Sequence, residues 1–478
     1  MSKIFISILA SQVYFSFAKD VSELFKSIPF DYRLSPITNE VYKDYAKQNT
    51  LKINEMLSTC SDDTVISFDN NRYPFWVGIQ ASNIHNLTID INGVFDFAIC
   101  EPSKWKRSNS SYYYNTSECA IRKMDHLSGI SMFGFSGMRN FKLTSTSRQG
   151  RIVGGGYQWY GYVDVALTDV KPMMLDMRGN KTIGFELSYL SMEEPPYWTT
   201  YIEADDVEVH HMNIVAIPDD FYQNDFSNML TMMQSIRAFN TDGIDISGDN
   251  VHIHDCVIHV GDDCVAVKGG SNWLVETVVA SGLGMSIGLH GSAENITFQH
   301  IHMDETIRAI YVKAFAKDIV YKNITVGSSL LFPIWIGPTY QFVTGDCPLI
   351  WPFVPTKYIA ELSEKMYDDP LFLNGLCVAS KNSYSSNILL VDVRVERSYS
   401  TPAFILGNGY LQDVQMVNVT FGEVPNGTFP HSSDIECYNS TFCPTVDQYC
   451  NAWGDRGPSQ PCCNTYNPFN GSKWGFCS

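Results

Sequence analysis

Four short segments decide the fold of this chain, because they repeat one another at a nearly constant interval. They are Asn250-Val-His-Ile, Asn272-Trp-Leu-Val, Asn295-Ile-Thr-Phe and Asp318-Ile-Val-Tyr. Successive segments begin 22, 23 and 23 residues apart. Periods in the low twenties are typical of solenoids, in which each turn of the chain buries its apolar residues against the next turn. The repeat therefore predicts a single elongated body rather than several independent domains.

Apolar residues alternate within these segments, as Ile296 and Phe298 do after Asn295. Alternation of β-branched and aromatic residues favours strands over helices. A leucine-rich repeat would carry a helix in every copy. An antiparallel sandwich remains as an alternative, but its hairpins would recur every ~8–12 residues. The pattern therefore predicts an all-β parallel β-helix, with the leading Asn or Asp side chains stacked in a ladder at one turn.

The start of the chain differs in composition from the repeats. Lys3 precedes an apolar run that ends in Ser16-Phe17-Ala18, a pattern typical of a signal peptide over residues 1–18. A buried strand is the alternative interpretation. Residues 19–47 form an expected lead-in, and a helix that caps the open end of the solenoid is expected up to about residue 58. Its apolar positions near helical spacing are Tyr45, Leu51, Ile53 and Leu57.

The solenoid itself is expected over residues 48–427, with one interruption and one appended module. Residues 341–384 are predicted to form a long excursion from the coils, which carries two cysteines and several prolines. The tail, residues 428–478, holds six cysteines in a short stretch rich in Gly, Pro and Asn. Six cysteines allow 15 pairings, so the sequence predicts a disulfide-held module without fixing its connectivity.

The charge balance argues against a nucleic-acid partner. Lys plus Arg total 33 against 51 Asp plus Glu, a formal net charge of −18. Nucleic-acid binding needs a basic surface and is not expected. Thirteen cysteines and ten Asn-x-Ser/Thr sequons suit a secreted glycoprotein. No stretch after the signal is apolar enough for a membrane anchor. We therefore expect an extracellular protein, with a monomer as the default state.

Three segments recur at the repeat interval, and the first two of them carry carboxylates. These are Asn240-Thr-Asp-Gly, Gly261-Asp-Asp-Cys and Gly282-Leu-Gly, with 20 residues from Asp242 to Asp262. Neighbouring strands lie roughly 4.8 Å apart, so Asp242, Asp262 and Asp263 are expected to crowd one patch. Crowded carboxylates raise one another's pKa, and one can then serve as general acid while another serves as base. The alternative is that they are solvated turn residues.

In this order and at this spacing, the segments resemble the polygalacturonase family, glycoside hydrolase family 28, over roughly residues 48–422. Asn240-Thr-Asp and Gly261-Asp-Asp match two of its motifs. Ile152-Val-Gly-Gly-Gly with Trp159 is similar to a third, with Val153 where the family has Asp. Pro196-Tyr-Trp-Thr is similar to a fourth. The resemblance implies a right-handed parallel β-helix that hydrolyses a pectic polysaccharide.

The resemblance also implies roles for the carboxylates. Asp262 would be the general acid, Asp242 and Asp263 would activate water, and the anomeric centre would invert. Adjacent residues of a regular strand point to opposite faces. Asp262 and Asp263 can therefore share a cleft only where the backbone is irregular, and we expect Gly261 to permit that conformation.

Two positions depart from the family pattern. Leu283 stands where the family has His, and Tyr311 stands where it has Arg. With Lys313 and Asn240, they form the expected substrate-binding set. A lone Lys such as Lys313 is more often a solvated charge than a ligand. Arg308 lies an odd number of residues before Tyr311 and should face the other side of a regular strand.

Cofactors are not expected, and no Cys/His cluster in the coils has metal-ligand spacing. Cys264, next to the Asp pair, is either free and buried or paired, with Cys256 as one possible partner. Two functions remain open. The favoured one is an inverting glycosidase, and the alternative is an inactive β-helix that binds carbohydrate or has a structural role. Without the family's Arg and His, unesterified polygalacturonate is expected to be a poor substrate.

Overall fold

The computed structural model describes residues 19–29, 40–97, 105–108, 111–114, 131–156, 171–216, 238, 240–288, 291–313, 316–329, 333–336, 385–398, 403–406, 411–423, 435–438, 463–466 and 473–476. The expected signal peptide, the excursion at 341–384 and most of the Cys-rich tail lie outside these residues, as does Trp159.

Short and long strands alternate along the described residues. In chain order the strands are β1 Lys19–Asp20, β2 Val65–Phe68, β3 Arg72–Pro74, β4 Ile79–Ser82, β5 Thr88–Ile91, β6 Val94–Asp96, β7 Trp105–Ser108, β8 Ser111–Tyr114, β9 Ser131–Ser136, β10 Arg139–Thr144, β11 Arg151–Val153, β12 Met173–Ser188, β13 Ser191–Glu193, β14 Thr200–His210, β15 Asn213–Val215, β16 Ile244–Ser247, β17 Val251–His259, β18 Val265–Ser281, β19 Met285–Ile287, β20 Ala293–Met303, β21 Ile310–Val312, β22 Ala316–Ser329, β23 Ile334–Ile336, β24 Ser385–Ser398, β25 Ala403–Leu406, β26 Leu411–Glu423, β27 Ile435–Tyr438, β28 Cys463–Tyr466 and β29 Lys473–Phe476.

Each long strand pairs in parallel with the long strand of the next coil. Trp273 of β18 lies opposite Ile296 of β20, which lies opposite Ile319 of β22, which lies opposite Ile388 of β24. The sequence repeat is therefore the structural repeat. Among the described strands, antiparallel pairing is confined to β7 with β8 and β28 with β29, and one isolated antiparallel bridge joins Ile28 to Arg72. The architecture is the predicted right-handed parallel β-helix.

The core runs along the axis of the coils and is filled by inward residues from every rung. Ile253, Val275, Phe298 and Tyr321 occupy equivalent inward positions on successive coils, and each is fully buried. Phe298 and Tyr321 stack with 4.7 Å between their ring centroids. Because equivalent positions stack directly, each coil packs at crystal-like density only in the presence of its neighbours.

One turn of the coils carries the predicted ladder of Asn and Asp side chains. Asn295 Nδ2 donates to Asn272 Oδ1 at 2.8 Å, and Asn272 Nδ2 donates to Asn250 Oδ1 at 3.4 Å. The backbone at these positions is left-handed, which Asn and Asp tolerate better than other non-glycine residues. We call this the ladder turn; its φ values run from 53° to 61° at Asp206, Asn250, Asn272, Asn295, Asp318 and Asn387.

A second left-handed turn follows a few residues later in each coil. Asp255, Thr277, His300 and Asn323 occupy it, with φ values of 53°, 55°, 55° and 53°. Asn323 Nδ2 and His300 Nδ1 lie 2.7 Å apart, so part of this turn also bonds between coils. Thr277 is β-branched, and its left-handed backbone is therefore strained.

The capping helix, α1, spans Glu40–Ser58. Its polar side chains bond the first coil: Asn49 Nδ2 donates to Pro74 O at 2.9 Å, and Asn54 Nδ2 donates to Gly78 O at 2.9 Å. These bonds satisfy main-chain acceptors at the end of the solenoid. Ile53 is buried as expected, but Leu51 is 50% exposed, because it lies on the opposite face of the helix.

The strand ladder continues past residue 428, the expected start of the tail module. β27 pairs in parallel with β25, and β28 pairs in parallel with β27. The pairing of the six tail cysteines lies outside the described side chains. Nowhere in the described ranges does a helix combine the length and the hydropathy needed to cross a bilayer.

Candidate active site

The three carboxylates occupy irregular bends on consecutive coils. Asp262 and Asp263 lie between β17 and β18, outside any strand, so strand alternation does not separate them. Asp242 lies in the bend before β16. Main-chain bonds hold the coils in register, since Gly243 N donates to Asp263 O at 2.8 Å and Leu283 N donates to Asp262 O at 2.7 Å. We call this bend, Asp242 with Asp262, Asp263 and Leu283, the catalytic turn.

Gly261 contributes to this bend in a different way from the one expected. Its φ is not in the left-handed range, so conformational freedom is not what the site takes from it. A Cβ at Gly261 would instead lie 2.3 Å from Ala238 O, which is main chain and cannot give way. The glycines of positive φ at the catalytic turn are instead Gly282 and Gly284, which flank Leu283 with φ of +144° and +76°.

The carboxylates form one buried group. Asp242, Asp262 and Asp263 are 3%, 2% and 1% exposed, and oxygen atoms from all three lie within 4.8 Å of one another. Asp262 accepts two main-chain N–H groups, from Asp263 at 2.9 Å and from Asn240 at 3.3 Å. The sequence predicted that these three carboxyl groups lie close together, and in the structure they do.

Lys313 is part of this group rather than a solvated surface charge. Its Nζ lies 2.5 Å from Asp263 Oδ2, and the residue is 2% exposed. Burial is the largest influence on Lys313 and lowers its pKa, but Asp263, Tyr311 and Asp262 together raise it further, so the net shift is upward. Lys313 thus places a buried cation directly against Asp263.

Sequence reasoning missed a second buried ion pair beside Asp242. Lys268 Nζ lies 2.9 Å from Asp245 Oδ2 and 3.6 Å from Asp242 Oδ2. Burial lowers the pKa of Lys268, but Asp245 and then Asp242 raise it further, so the net shift is upward. The sequence does contain a feature that indicates this ion pair. Lys268 follows the apolar run Val265–Val267 in β18, and a charge buried in such a strand needs a partner of opposite sign.

Burial and neighbouring charges shift the pKa values of the carboxyl groups in this site. Burial, then the charges of Asp242 and Asp263, raise the pKa of Asp262 well above its usual range. Burial and Asp245 raise the pKa of Asp242 in the same direction, although Lys268 opposes the shift. Burial raises the pKa of Asp245 to about 7. Four carboxylates share two lysines here, so the group holds at least one proton readily near neutral pH.

Tyr311 and Arg308 lie together, contrary to the expectation that Arg308 faces the other side. Arg308 precedes β21 and is not part of a regular strand. Its Cζ lies 4.3 Å from the ring centroid of Tyr311 and 4.4 Å from that of Trp335. Lys313 Nζ lies 4.6 Å from the same Tyr311 ring. Sequence spacing failed at Arg308 because the alternation rule applies only inside a strand.

Aromatic side chains extend the site on the side of Lys268. Trp198 is half-buried and stacks on Tyr197 and Tyr201, with ring centroids 5.2 Å and 5.4 Å apart. Lys268 Nζ lies 4.7 Å from the Trp198 ring centroid. The Pro196-Tyr-Trp-Thr segment therefore places a half-buried aromatic side chain next to Lys268, which in turn contacts Asp245 and Asp242. Aromatic faces of this kind suit the apolar face of a sugar ring.

The remaining expected residues also lie at the catalytic turn. Leu283 is fully buried and contacts the site through its main-chain N–H. Asn240 is half-buried and likewise offers its main-chain N–H to Asp262. Cys264 and Cys256 are both free, buried thiols, so the possible pairing between them is wrong.

Three groups in the described residues have the spacing to hold a metal ion. One is the catalytic carboxylate group, where Lys313 already supplies a cation. The other two share His254 on the outer face of β14 and β17; they are Glu208 with His252 and His254, and His211 with His254 and Asp255.

Comparisons with known proteins agree with this geometry. Residues 129–347 match the family model described as glycosyl hydrolases family 28. A "Probable rhamnogalacturonase E" of Aspergillus oryzae is 30% identical over 215 residues, which cover 43% of this chain and 42% of the relative. A "Probable exopolygalacturonase C" of Aspergillus terreus is 25% identical over 308 residues, or 60% of this chain and 63% of the relative. The chain thus spans less than two thirds of the length of these curated relatives.

Two solved structures share the fold. The endo-xylogalacturonan hydrolase of Aspergillus tubingensis superposes with a TM-score of 0.55 at 18% identity, covering 82% of this chain and 92% of the other. The polygalacturonase of Erwinia carotovora superposes with a TM-score of 0.51 at 17% identity, covering 80% and 93%. The matched region contains Asp242, Asp262, Asp263 and Lys313. Through that region, the chain is similar to glycoside hydrolase family 28.

Proposed function

We propose that this protein is a glycoside hydrolase that cleaves a pectic polysaccharide by general acid/base catalysis. The observation that carries the proposal is the buried group of Asp242, Asp262 and Asp263, in which one carboxylate is neutralised by Lys313 and the pKa of the other two is raised. Carboxyl groups pushed to different protonation states are the equipment that glycoside hydrolysis needs.

Asp262 is the proposed general acid. It lies outside contact with either lysine in the described ion pairs, and burial raises its pKa, so it keeps its proton near neutral pH. It donates that proton to the glycosidic oxygen as the bond to the anomeric carbon breaks. A water molecule attacks the anomeric carbon, and its proton passes to Asp242 or Asp263. Transfer of that proton back to Asp262 restores the starting state.

Inversion at the anomeric carbon is part of the proposal and rests on the family resemblance. Most inverting enzymes separate their carboxyl groups by about 6.5–9.5 Å, whereas retaining enzymes hold them about 5–5.5 Å apart. Here the nearest oxygens lie within 4.8 Å, which is closer to the second value. Lys313 favours inversion physically, because Asp263 bound to an ammonium is a poor nucleophile. Proton NMR of the first product formed would show which anomer is released.

A pectic substrate is supported by the relatives' names, rhamnogalacturonase and exopolygalacturonase. The apolar run before Ala18 and the many cysteines and sequons support action outside the cell. The half-buried Trp198 supplies an aromatic side chain beside the acids that can contribute to sugar binding. We take the monomer as the working state.

Release of reducing ends from a panel of polysaccharides tests the proposal. The panel contains unesterified polygalacturonate, methyl-esterified polygalacturonate and rhamnogalacturonan, with an uncharged glucan as the control. Turnover of at least one pectic polymer but not the glucan is expected. Binding of a pectic polymer without any release would instead support the carbohydrate-binding alternative.

A further inference from the structure

Four histidine rings gather on the outer face of two neighbouring coils, although the whole chain contains only 11 histidines. They are His210 and His211, at and just after the end of β14, and His252 and His254 on β17. The ring centroid of His254 lies 5.0 Å from that of His210, on which it stacks, and 4.3 Å from that of His252. The proposed hydrolysis uses none of these rings. Imidazole nitrogens are ligands that suit zinc and copper ions.

The parallel register of the coils brings a carboxylate to two of these rings. Glu208 lies opposite His252, and His210 lies opposite His254. His252 and His254 are two residues apart on one strand, so both point to its outer face. Glu208, His252 and His254 each offer one ligand atom, and these three atoms lie within 4.8 Å of one another. Spacing along the sequence did not indicate the set, because Glu208 and His254 are 46 residues apart.

The distances suit a tetrahedral zinc site. His254 Nε2 lies 3.4 Å from Glu208 Oε1. Zinc bonds of about 2.1 Å to an imidazole nitrogen and a carboxylate oxygen place two tetrahedral ligand atoms about 3.4 Å apart. The side chains of His252 and Glu208 are 40% and 53% exposed, so both are accessible for the movement of about 1 Å that completes the set. Three protein ligands leave the fourth position to water.

Asp255 orients His254 as a metal ligand requires. His254 Nδ1 lies 2.7 Å from Asp255 Oδ2. When the Nδ1–H group donates to this carboxylate, the lone pair of the ring is left on Nε2, the nitrogen beside Glu208. A carboxylate behind a ligating histidine is the usual arrangement at zinc sites. This contact therefore points to a metal ion independently of the spacing of the three ligand atoms.

We propose that Glu208, His252 and His254 bind a zinc ion, with Asp255 as the positioning residue for His254. The ion bonds to side chains of β14 and β17 and so fastens two neighbouring coils at their outer face. An ion held by the folded coils and not by the unfolded chain stabilises the fold, so its role is structural. The site replaces the expectation that the coils contain no metal-ligand cluster, which considered spacing along single segments only.

Zinc titration of the chain, prepared without an affinity tag and freed of metal with EDTA, tests the site. By calorimetry, His254→Gln and His252→Gln should each weaken zinc binding roughly a hundredfold, and Asp255→Asn should weaken it about tenfold. Saturating zinc should raise the thermal midpoint of the wild type by about 2–5 °C and leave that of His254→Gln unchanged. Metal-free Asp255→Asn should unfold at the same temperature as the metal-free wild type, so that its weaker binding reports the orientation of His254.

Two further variants serve as controls. His85→Gln should bind zinc as the wild type does, because His85 also lies beside a carboxylate, 3.5 Å from Asp62, but belongs to none of the ligand groups among the described residues. His211→Asn should also retain binding, since His211 belongs to the neighbouring group with His254 and Asp255. Asn suits the left-handed backbone of His211, whose φ is 53°.

Three results would overturn the proposal. The first is a wild-type chain that binds no zinc. The second is zinc binding that survives in His254→Gln, which would place the ion elsewhere in the molecule. The third is full binding by His252→Gln together with loss in His211→Asn, which would show that the ligand set is wrong.

Discussion

Two turns of the same coils are constructed in opposite ways. At the ladder turn, Asn250, Asn272 and Asn295 repeat one conformation and one hydrogen bond from coil to coil. At the catalytic turn, the backbone bends irregularly, and Asp242 and Asp262 are followed on the next coil by Leu283. Repetition lets each side-chain amide of the ladder turn donate a hydrogen bond to the next. The irregular bends of the catalytic turn instead bring carboxyl groups together and shift their pKa values. The first turn serves stability, and the second is the proposed site of the chemistry.

The largest expected effect tests this division directly. Asp262→Asn should lower kcat by roughly 10²–10⁴-fold, because the amide has no proton suitable for transfer. Thermal unfolding should change little, since the amide keeps the shape of the carboxyl. The matched control is Asp206→Asn at the ladder turn, where the side-chain oxygen only accepts a bond from Asn250 Nδ2 at 3.0 Å. Comparable activity losses in the two variants would erase the distinction between the turns.

Removal of a ladder side chain should give the converse result. Asn272→Ala loses a donated and an accepted hydrogen bond and forces Ala into a left-handed backbone with φ of 61°. We expect a cost of about 2 kcal/mol in the free energy of unfolding, with kcat unchanged. Asn272→Gly tolerates the backbone and should cost less. Denaturant unfolding measures both, and a Gly variant as unstable as the Ala variant would show that backbone strain contributes nothing.

The pH dependence of stability should reveal the free-energy cost of burying Asp245 beside the catalytic turn. Asp245 has a pKa raised from 3.8 to about 7 by burial. A carboxyl whose folded pKa is raised contributes stability that is fully present below the unfolded value and is lost as pH rises through the folded value. Between about pH 4 and 7, the wild type should therefore lose stability relative to Asp245→Asn. Melting temperatures that fall in parallel for both proteins across that window would contradict this account.

The smallest expected effect is a gain in stability. Thr277 has φ of 55° at the second left-handed turn, where Asp255 and Asn323 occupy equivalent places on other coils. Thr277→Asn relieves the strain of a β-branched residue there and should raise stability by about 0.5–1 kcal/mol. Thr325, in the regular strand β22, is the control position, where the same change should be neutral or unfavourable. A destabilised Thr277→Asn protein would show that Thr277 makes a compensating contact.

The sequence predicted whatever depends on repetition. The period, the alternation of Ile296 and Phe298 and the leading Asn residues specified the coil, the core and the ladder, because stacked coils impose one environment on equivalent positions. The same period brought Asp242 next to Asp262. What the sequence could not predict lies where the backbone leaves the strands. At Gly261, a side chain would clash with the main-chain carbonyl of Ala238, which is distant in sequence but adjacent in space. Arg308 contacts Tyr311 from a bend, to which strand alternation does not apply.

The two free thiols near the catalytic turn give the folded chain a built-in reporter of local opening. Cys264 adjoins Asp263, and Cys256 lies on β17, the strand that leads into the same bend. Burial raises the pKa of Cys256 to about 12 and raises that of Cys264 as well. The thiolate is the nucleophile that attacks a thiol-specific reagent, so neither buried cysteine reacts until the coil opens. Labelling rates at these two positions would thus time the local opening of the coils around the catalytic turn.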